Sequence, residues 1–297
     1  MKLKPIFDTN VFGDLQRGLI ADSDWKFLLR HSPGNGWPLS QVTALELLAA
    51  VHLAPNDFTS VRRRIEIAYH LSSGKVLEDP RILICKDVLR IPFPADQLAP
   101  AASTVSRYMD GVRRALTLNQ LLNNGVSVKG MRFQIKSTSV LGDLMAGPKK
   151  QWMTTLENTA TEKAPGWRDV LEKTGRRLPA ELRQQLEPMS AWDAQRASFI
   201  NSLLNWLHAD VNAITTAELS ERLDAVIEFT IFVVREFLLR NYNPKKHDGD
   251  VFDQFQLQYL AMDRFVIVSR DSDLSNRTQQ SSQADRIMSF DQFLRTL

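Results

Sequence analysis

The chain reads as an α/β protein with a parallel sheet covered on both faces, built from its two ends and interrupted by a large, mainly helical block. Three observations predict this. Residues 1–75 alternate strand and helix signals, residues from about 96 to 240 read as helix after helix, and residues 250–297 return to alternation. Phe265-Val266-Ile267-Val268-Ser269 is continuously apolar beside helical segments, the mark of a strand buried between two layers. With 297 residues and 43% hydrophobic content, the chain has length for one large domain or one domain carrying a sizeable insertion.

Each element has its own signal. Residues 3–7 form a short apolar strand that ends at Asp8-Thr9-Asn10, and Trp37-Pro38-Leu39-Ser40 is a short extended run. Residues 42–51 recur at helical spacing with Ser40 available as cap, and a second helix starts at Asn56-Asp57 and ends near Ser72-Ser73-Gly74. Arg81-Ile82-Leu83-Ile84-Cys85 looks like a strand, closed off by Pro92-Phe93-Pro94. The block then offers helices over 104–122, 150–161, 166–175, 178–186, 191–207 and 216–240, broken at Asn123-Asn124-Gly125 and at other Gly or Pro positions. No period of 20 to 50 residues repeats, so this is not a solenoid. The tail holds a helix over 251–262, the strand 265–269, a short strand 286–289 and a closing helix.

Composition excludes several classes. The most apolar stretch, residues 223–236, carries Asp224, Glu228, Arg235 and Glu236, and falls short of the ~20 apolar residues of a membrane span. Met1-Lys2-Leu3-Lys4-Pro5 leads into no apolar stretch long enough for a signal peptide. A single cysteine, Cys85, rules out an internal disulfide framework and a multi-cysteine zinc site, which points to a reducing, cytoplasmic compartment. Net charge is only +3, from 37 Lys and Arg against 34 Asp and Glu, so any anionic partner must be met by local clusters.

Four carboxylates stand out. Asp8 follows the first strand, Glu46 lies inside an early helix, Asp253 opens a late helix, and Asp271 follows the strand ending Val268-Ser269. In a parallel sheet the C-terminal strand ends share one edge, so Asp8 and Asp271 meet there and flanking helices deliver Glu46 and Asp253. Such a cluster repels itself unless a divalent cation holds it, and oxygen-only donors select Mg²⁺ or Mn²⁺ over zinc. Each residue also has a local role to offer. Asp8 can cap the following turn, Glu46 can face solvent or an ion-pair partner, and Asp273 can serve a turn. Asp248 and Asp250 compete with Asp253, and one of these carboxylates is an ordinary helix N-terminal acid.

Taken in order, these segments resemble the PIN-domain nucleases. Phe7-Asp8-Thr9-Asn10-Val11 is similar to that family's opening strand and turn, and Ser40-Gln41-Val42-Thr43-Ala44-Leu45-Glu46-Leu47 to its Ser, Thr and acidic segment. Asp253-Gln254-Phe255-Gln256-Leu257 resembles the third acidic segment, and Val266-Ile267-Val268-Ser269-Arg270-Asp271 the fourth; residues 286–294 resemble the last strand and helix. The motifs cover roughly the first and last 50 residues, and the stretch between departs from the family. The resemblance implies a three-layer PIN-like core in residues 1–75 and 241–297, with 76–240 as a helical insertion. It implies a Mg²⁺- or Mn²⁺-dependent endoribonuclease acting on RNA, single-stranded first, with single-stranded DNA as a second polymer, leaving 5′-phosphate and 3′-hydroxyl ends. Asp8, Glu46, Asp253 and Asp271, with Asp250 as the alternative, would be the metal-binding carboxylates. Thr9, Asn10 and Ser269 would orient those carboxylates or the phosphate, or else satisfy local turns. A toxin, a defence nuclease or an RNA-processing enzyme shares this chemistry, and an antitoxin, another protein or a second copy of the chain are the protein partners it suggests. The contrary reading is a nucleic-acid-binding or scaffolding protein whose acidic cluster is degenerate.

Basic clusters at Arg62-Arg63-Arg64, Arg113-Arg114, Lys149-Lys150, Arg176-Arg177 and Lys245-Lys246-His247 are either phosphate contacts or solvated helix faces; Arg62, Arg63, Lys245 and Lys246 are the candidates for RNA. Trp152, Trp167, Trp192 and Trp206 either stack on bases or fill the core. A haloacid-dehalogenase-type phosphatase would need Asp where Asn10 stands. A metal-independent ribonuclease of the helical HEPN kind would use an Arg and a His such as Arg63 and His70.

Overall fold

The computed structural model describes residues 3–95, 100–128, 131–133, 154–155, 157–173, 178–209, 213–239 and 250–297. Its centre is a three-stranded parallel sheet in the order β1 (Lys4–Phe7), β4 (Phe265–Ser269), β5 (Ile287–Ser289). Ile6 sits opposite Ile267, and Ile267 opposite Ile287, so the two chain ends are joined through β4. The mixed α/β class expected from the sequence is what the molecule shows, with helix predominating and the sheet small.

Strand alternation decides what covers each face. Phe7, Val266 and Val268 enter one cluster, with Val11 and Phe12 of α1 (Thr9–Gln16), Leu28 of α2 (Asp22–His31), Leu47 and Leu48 of α3 (Gln41–Leu53), Val61 and Ile65 of α4 (Phe58–Ser72), and later Val105 and Met109. Ile6, Phe265 and Ile267 point the other way, into a cluster with residues of the helical block. Both faces are therefore dry, which is why β4 carries no polar residue before Ser269.

Beyond α4 come α5 (Pro80–Leu83), α6 (Ala102–Arg114) and an antiparallel hairpin of β2 (Val126–Val128) and β3 (Met131–Phe133). The block continues with α7 (Trp167–Lys173), α8 (Ala180–Leu186), α9 (Trp192–Trp206), α10 (Ala213–Arg222) and α11 (Asp224–Leu239). The tail adds α12 (Asp250–Leu257), α13 (Ser272–Arg277) and α14 (Phe290–Leu294), the last closed by a Ser289/Gln292 capping box.

Several expectations are corrected. Residues 81–85 are helical, running from α5 into a π-helical turn over Ile84–Leu89. The Asp79 carboxylate accepts from the Arg81 amide, and Pro80 takes the first helical position, where its missing N–H costs nothing. The cap outweighs the apolar run that suggests a strand. The single long helix expected over 216–240 is two, meeting at Leu223, where the tail reaches in: Asp224 accepts from the Ser282 amide at 2.7 Å and the Ala225 amide donates to Gln283 at 3.1 Å. The helix expected over 104–122 stops at Arg114, followed by a π-turn over Gln120–Asn124, and the hairpin behind it was not anticipated. Residues 37–40 are extended but contribute only a parallel bridge, Leu39 to Val76. Residues 150–153 of the helix expected over 150–161 lie outside the described residues. Among the described residues no helix is long and apolar enough to cross a membrane.

Candidate active site

Parallel pairing brings the ends of β1 and β4 side by side, and the Asp8 amide continues the ladder to the Val268 carbonyl at 2.9 Å. Asp8 is both the N-cap of α1 and a buried carboxylate, 7% exposed. One oxygen accepts from the Thr9 amide at 2.6 Å; the other accepts from the Ser269 hydroxyl at 2.8 Å and from the Asn10 amide at 2.7 Å. Asn10 reaches across as well, its Oδ1 accepting from the Arg270 amide at 2.9 Å. The tripeptide Asp8-Thr9-Asn10 therefore locks β1 to the loop after β4. Burial pushes the Asp8 carboxyl up from its ordinary range, its hydrogen bonds to Ser269, Thr9 and Asn10 pull it down, and the charge of Asp271 pushes it up again.

Asp271 caps α13, accepting from the Asp273 amide at 2.7 Å, and its own amide donates to the Ser269 hydroxyl at 2.9 Å. Asp273 is thus an exposed first-turn residue of that helix. Glu46 is half-buried on α3 and accepts from the Thr9 hydroxyl, so the residue after Asp8 holds the residue opposite it. The placement of α3 follows from Ser40 and Thr43. Ser40 caps the helix through the Thr43 amide at 2.9 Å, and the buried Thr43 hydroxyl donates to the Phe7 carbonyl at 3.0 Å, just before Asp8.

The two candidates for the third acidic position have different surroundings. Asp250, not Asp253, is the first residue of α12; it is 5% exposed and bonded at 2.7 Å to Arg277. Arg277 lies 5.5 Å from the ring centres of both Phe229 and Phe232 on α11. Asp253, one turn further on, has no hydrogen bond or ion pair of its own among the described residues. Its carboxyl is pushed well above the ordinary range by burial, and then by the charges of Asp8, Glu46, Asp250 and Asp271. Four of the acids singled out in the sequence, Asp8, Glu46, Asp250 and Asp271, are within electrostatic reach of it. Even so, among the described residues no three Asp, Glu, His or Cys side chains stand close enough to enclose a metal ion as they are.

The sequence pattern missed two groups that hold the site. The Gln256 side-chain amide lies within hydrogen-bond distance of the Thr43 hydroxyl, at 2.9 Å, and of the Ser40 hydroxyl, at 3.3 Å, joining α12 to α3. Asp14 is paired with Arg17 at 2.6 Å and with Arg270 at 2.5 Å, which ties α1 to the loop before Asp271. The i,i+3 spacing of Asp14 and Arg17 was a readable signal; the contacts of Gln256 and Arg277 span gaps that no local pattern encodes.

Among the described residues, the basic clusters at Arg62–Arg64 and Arg113–Arg114 make their contacts away from these acids. Arg62 donates to the Ala115 carbonyl at 3.3 Å, and Arg63 is paired with Glu66 at 2.8 Å. Arg113 and Arg114 both hold the buried Asp110, at 2.6 and 3.0 Å. Lys245, Lys246 and His247 lie outside the described residues, as do Lys149, Lys150, Arg176, Arg177, Asp248 and Trp152. Arg63 and His70 line one surface cavity of about 530 Å³ with Trp25, Tyr69 and Arg113. Trp167 is core, 2% exposed, and Trp206 lies under the Arg81 guanidinium at 4.3 Å. In comparisons with known proteins the chain matches no family model, no curated protein and no solved structure.

Proposed function

We propose that the chain is a divalent-metal-dependent nuclease with a PIN-type acidic site, hydrolysing phosphodiester bonds of RNA, single-stranded RNA first. The observation that carries this reading is the Asp253 carboxyl, held without a bonded cation among the described residues and facing the charges of Asp8, Glu46, Asp250 and Asp271. Stability alone gives no reason to collect acids from β1, α3, α12 and the end of β4 at one sheet edge.

The donor set is hard carboxylate oxygen, which fits Mg²⁺ or Mn²⁺. Asp8, Asp253 and Asp271 would hold the ion, with Glu46 on the Thr9 side. Among the described residues their present spacing does not enclose one. A bound ion would supply charge neutralisation at the scissile phosphate and lower the pKa of an attacking water. The chain's own residues do the positioning. Ser269 and Asn10 fix one oxygen of Asp8 while the Thr9 amide fixes the other, and the Thr9 hydroxyl orients Glu46. Burial of Asp8 keeps bulk water from competing for it.

Cleavage of single-stranded RNA and single-stranded DNA is assayed with Mn²⁺, using Asp8→Asn as control. Asp8→Asn lowers the rate about a hundredfold or more, because metal catalysis supplies several kcal/mol and about 1.4 kcal/mol is a factor of ten. RNA binding survives the substitution. Full activity in Asp8→Asn would refute the site. Cleavage that persists in EDTA and leaves a cyclic phosphate would instead favour the Arg63 and His70 cavity, and a wild type that binds RNA without cutting it would favour the scaffolding reading.

A further inference from the structure

A second cavity lies at the edge of the sheet opposite Asp8, where β1 and β4 begin; its volume is about 840 Å³ and Lys4, Trp37, Lys75, Arg264 and Phe265 are among its walls. The size is that of a small-molecule site. Its polar character is one-sided: Lys4, Lys75 and Arg264 line it, and no described acidic side chain does. Arg264 is paired with Asp87 at 2.6 Å, whereas Lys4 and Lys75 have no ion pair among the described residues. Pro38 and Val76, both half-buried, form the apolar part of the same wall.

The chain path here is rigid. Gly36 has φ +75°, and a Cβ on it would meet the Ser72 carbonyl carbon at 2.6 Å, so the turn into Trp37 is pressed against the end of α4. Beyond it, Leu39 is bonded on both sides to the 75–77 segment, by 3.2 Å and 2.8 Å hydrogen bonds. Pro38 and Lys75 are therefore held close on neighbouring segments, an apolar wall beside a cation.

We propose that this cavity binds a small organic anion with an apolar body. The anionic oxygens face Lys4 and Lys75, and the body lies against Pro38 and Val76. The site is separate from the acidic cluster and does not depend on its role.

Anilinonaphthalene sulfonate titrated into the full chain is the direct probe, with neutral N-phenylnaphthylamine as its uncharged counterpart. One equivalent of the sulfonate binds more tightly than the neutral compound. Affinity falls about tenfold in Lys75→Glu, reversing one charge near the ligand, falls likewise in Lys4→Glu, and returns in Lys75→Arg. Both lysines are exposed, and circular dichroism confirms that the variants are folded. Displacement of the dye by adenosine monophosphate identifies a phosphate ligand, and displacement by naphthoate a carboxylate. Equal binding of sulfonate and neutral probe, unchanged affinity in both glutamate variants, or displacement by neither anion overturns the proposal.

Discussion

Asp253 is the residue whose protonation matters most. Its folded-state pKa lies above the ordinary value, through burial and four neighbouring acids, and Asp8 is shifted the same way. Groups raised on folding contribute stability below their unfolded pKa, near 3.8, and that contribution is lost as pH rises through the folded value. The metal-free protein is therefore less stable at neutral pH than in mild acid with respect to these two groups. Asp253→Asn removes the repulsion and raises the neutral-pH melting temperature by a few degrees while flattening its pH dependence; thermal unfolding monitored by circular dichroism at several pH values reads both. Adding Mn²⁺ to the wild type at neutral pH has the same direction, and Asp253→Asn blunts it. A melting temperature lowered by Asp253→Asn would show that the carboxylate is structurally compensated. Legibility at this scale was uneven: Asp8, Glu46, Asp253 and Asp271 each follow a strand or sit at a helix face in readable order, but nothing local told Asp250 from Asp253. Arg277, 27 residues away from Asp250, makes that distinction.

At the level of elements, the acidic edge depends on how α3 and α12 are tied to β1. Thr43 donates to the Phe7 carbonyl and shares Gln256 with Ser40, all buried. Thr43→Val leaves the buried Phe7 carbonyl short of its side-chain donor and costs about 1–3 kcal/mol, measurable by urea unfolding. If the chain cleaves RNA as proposed, the effect on cleavage exceeds the effect on RNA affinity, because Glu46 moves with α3. Arg277→Ala takes the Arg277 guanidinium from the buried Asp250 and costs about 3–5 kcal/mol. The double variant Asp250→Asn/Arg277→Met recovers part of that loss, whereas independent roles would make the two losses add. The helix over residues 80–83 carries the opposite lesson about reading elements. The apolar run 81–85 was compatible with either structure, and the Asp79-Pro80 cap was the local feature that should have decided it.

For the whole molecule, the helical block is a layer of the core. Ile6, Phe265 and Ile267 on one face of the sheet share a cluster with Leu203 and Leu204 of α9 and Phe229 and Val233 of α11. Each fully buried large apolar side chain contributes about 1.5–3 kcal/mol, so stripping this layer exposes more than a marginally stable fold can lose. A chain in which residues 157–239 are replaced by a short linker fails to fold, seen as loss of cooperative thermal unfolding; a cooperative, soluble product would show that the ends form an independent core. Cys85 offers a second gauge of the same layer. It is 1% exposed, and burial, with Asp79 nearby, pushes its thiol up to about 11, so it resists alkylation until the layer opens.

By itself the sequence determined the mixed class, the strands at both ends, the capped helix bearing Glu46, and the four acidic positions, because alternation, caps and strand-end carboxylates are encoded within a few residues of each other. Only the tertiary structure decided which acid is neutralised, that residues 213–239 break at Leu223, and that the block covers the sheet. Those outcomes rest on contacts between segments tens to hundreds of residues apart, where burial, ion pairing and capping by a distant loop outweigh local preference.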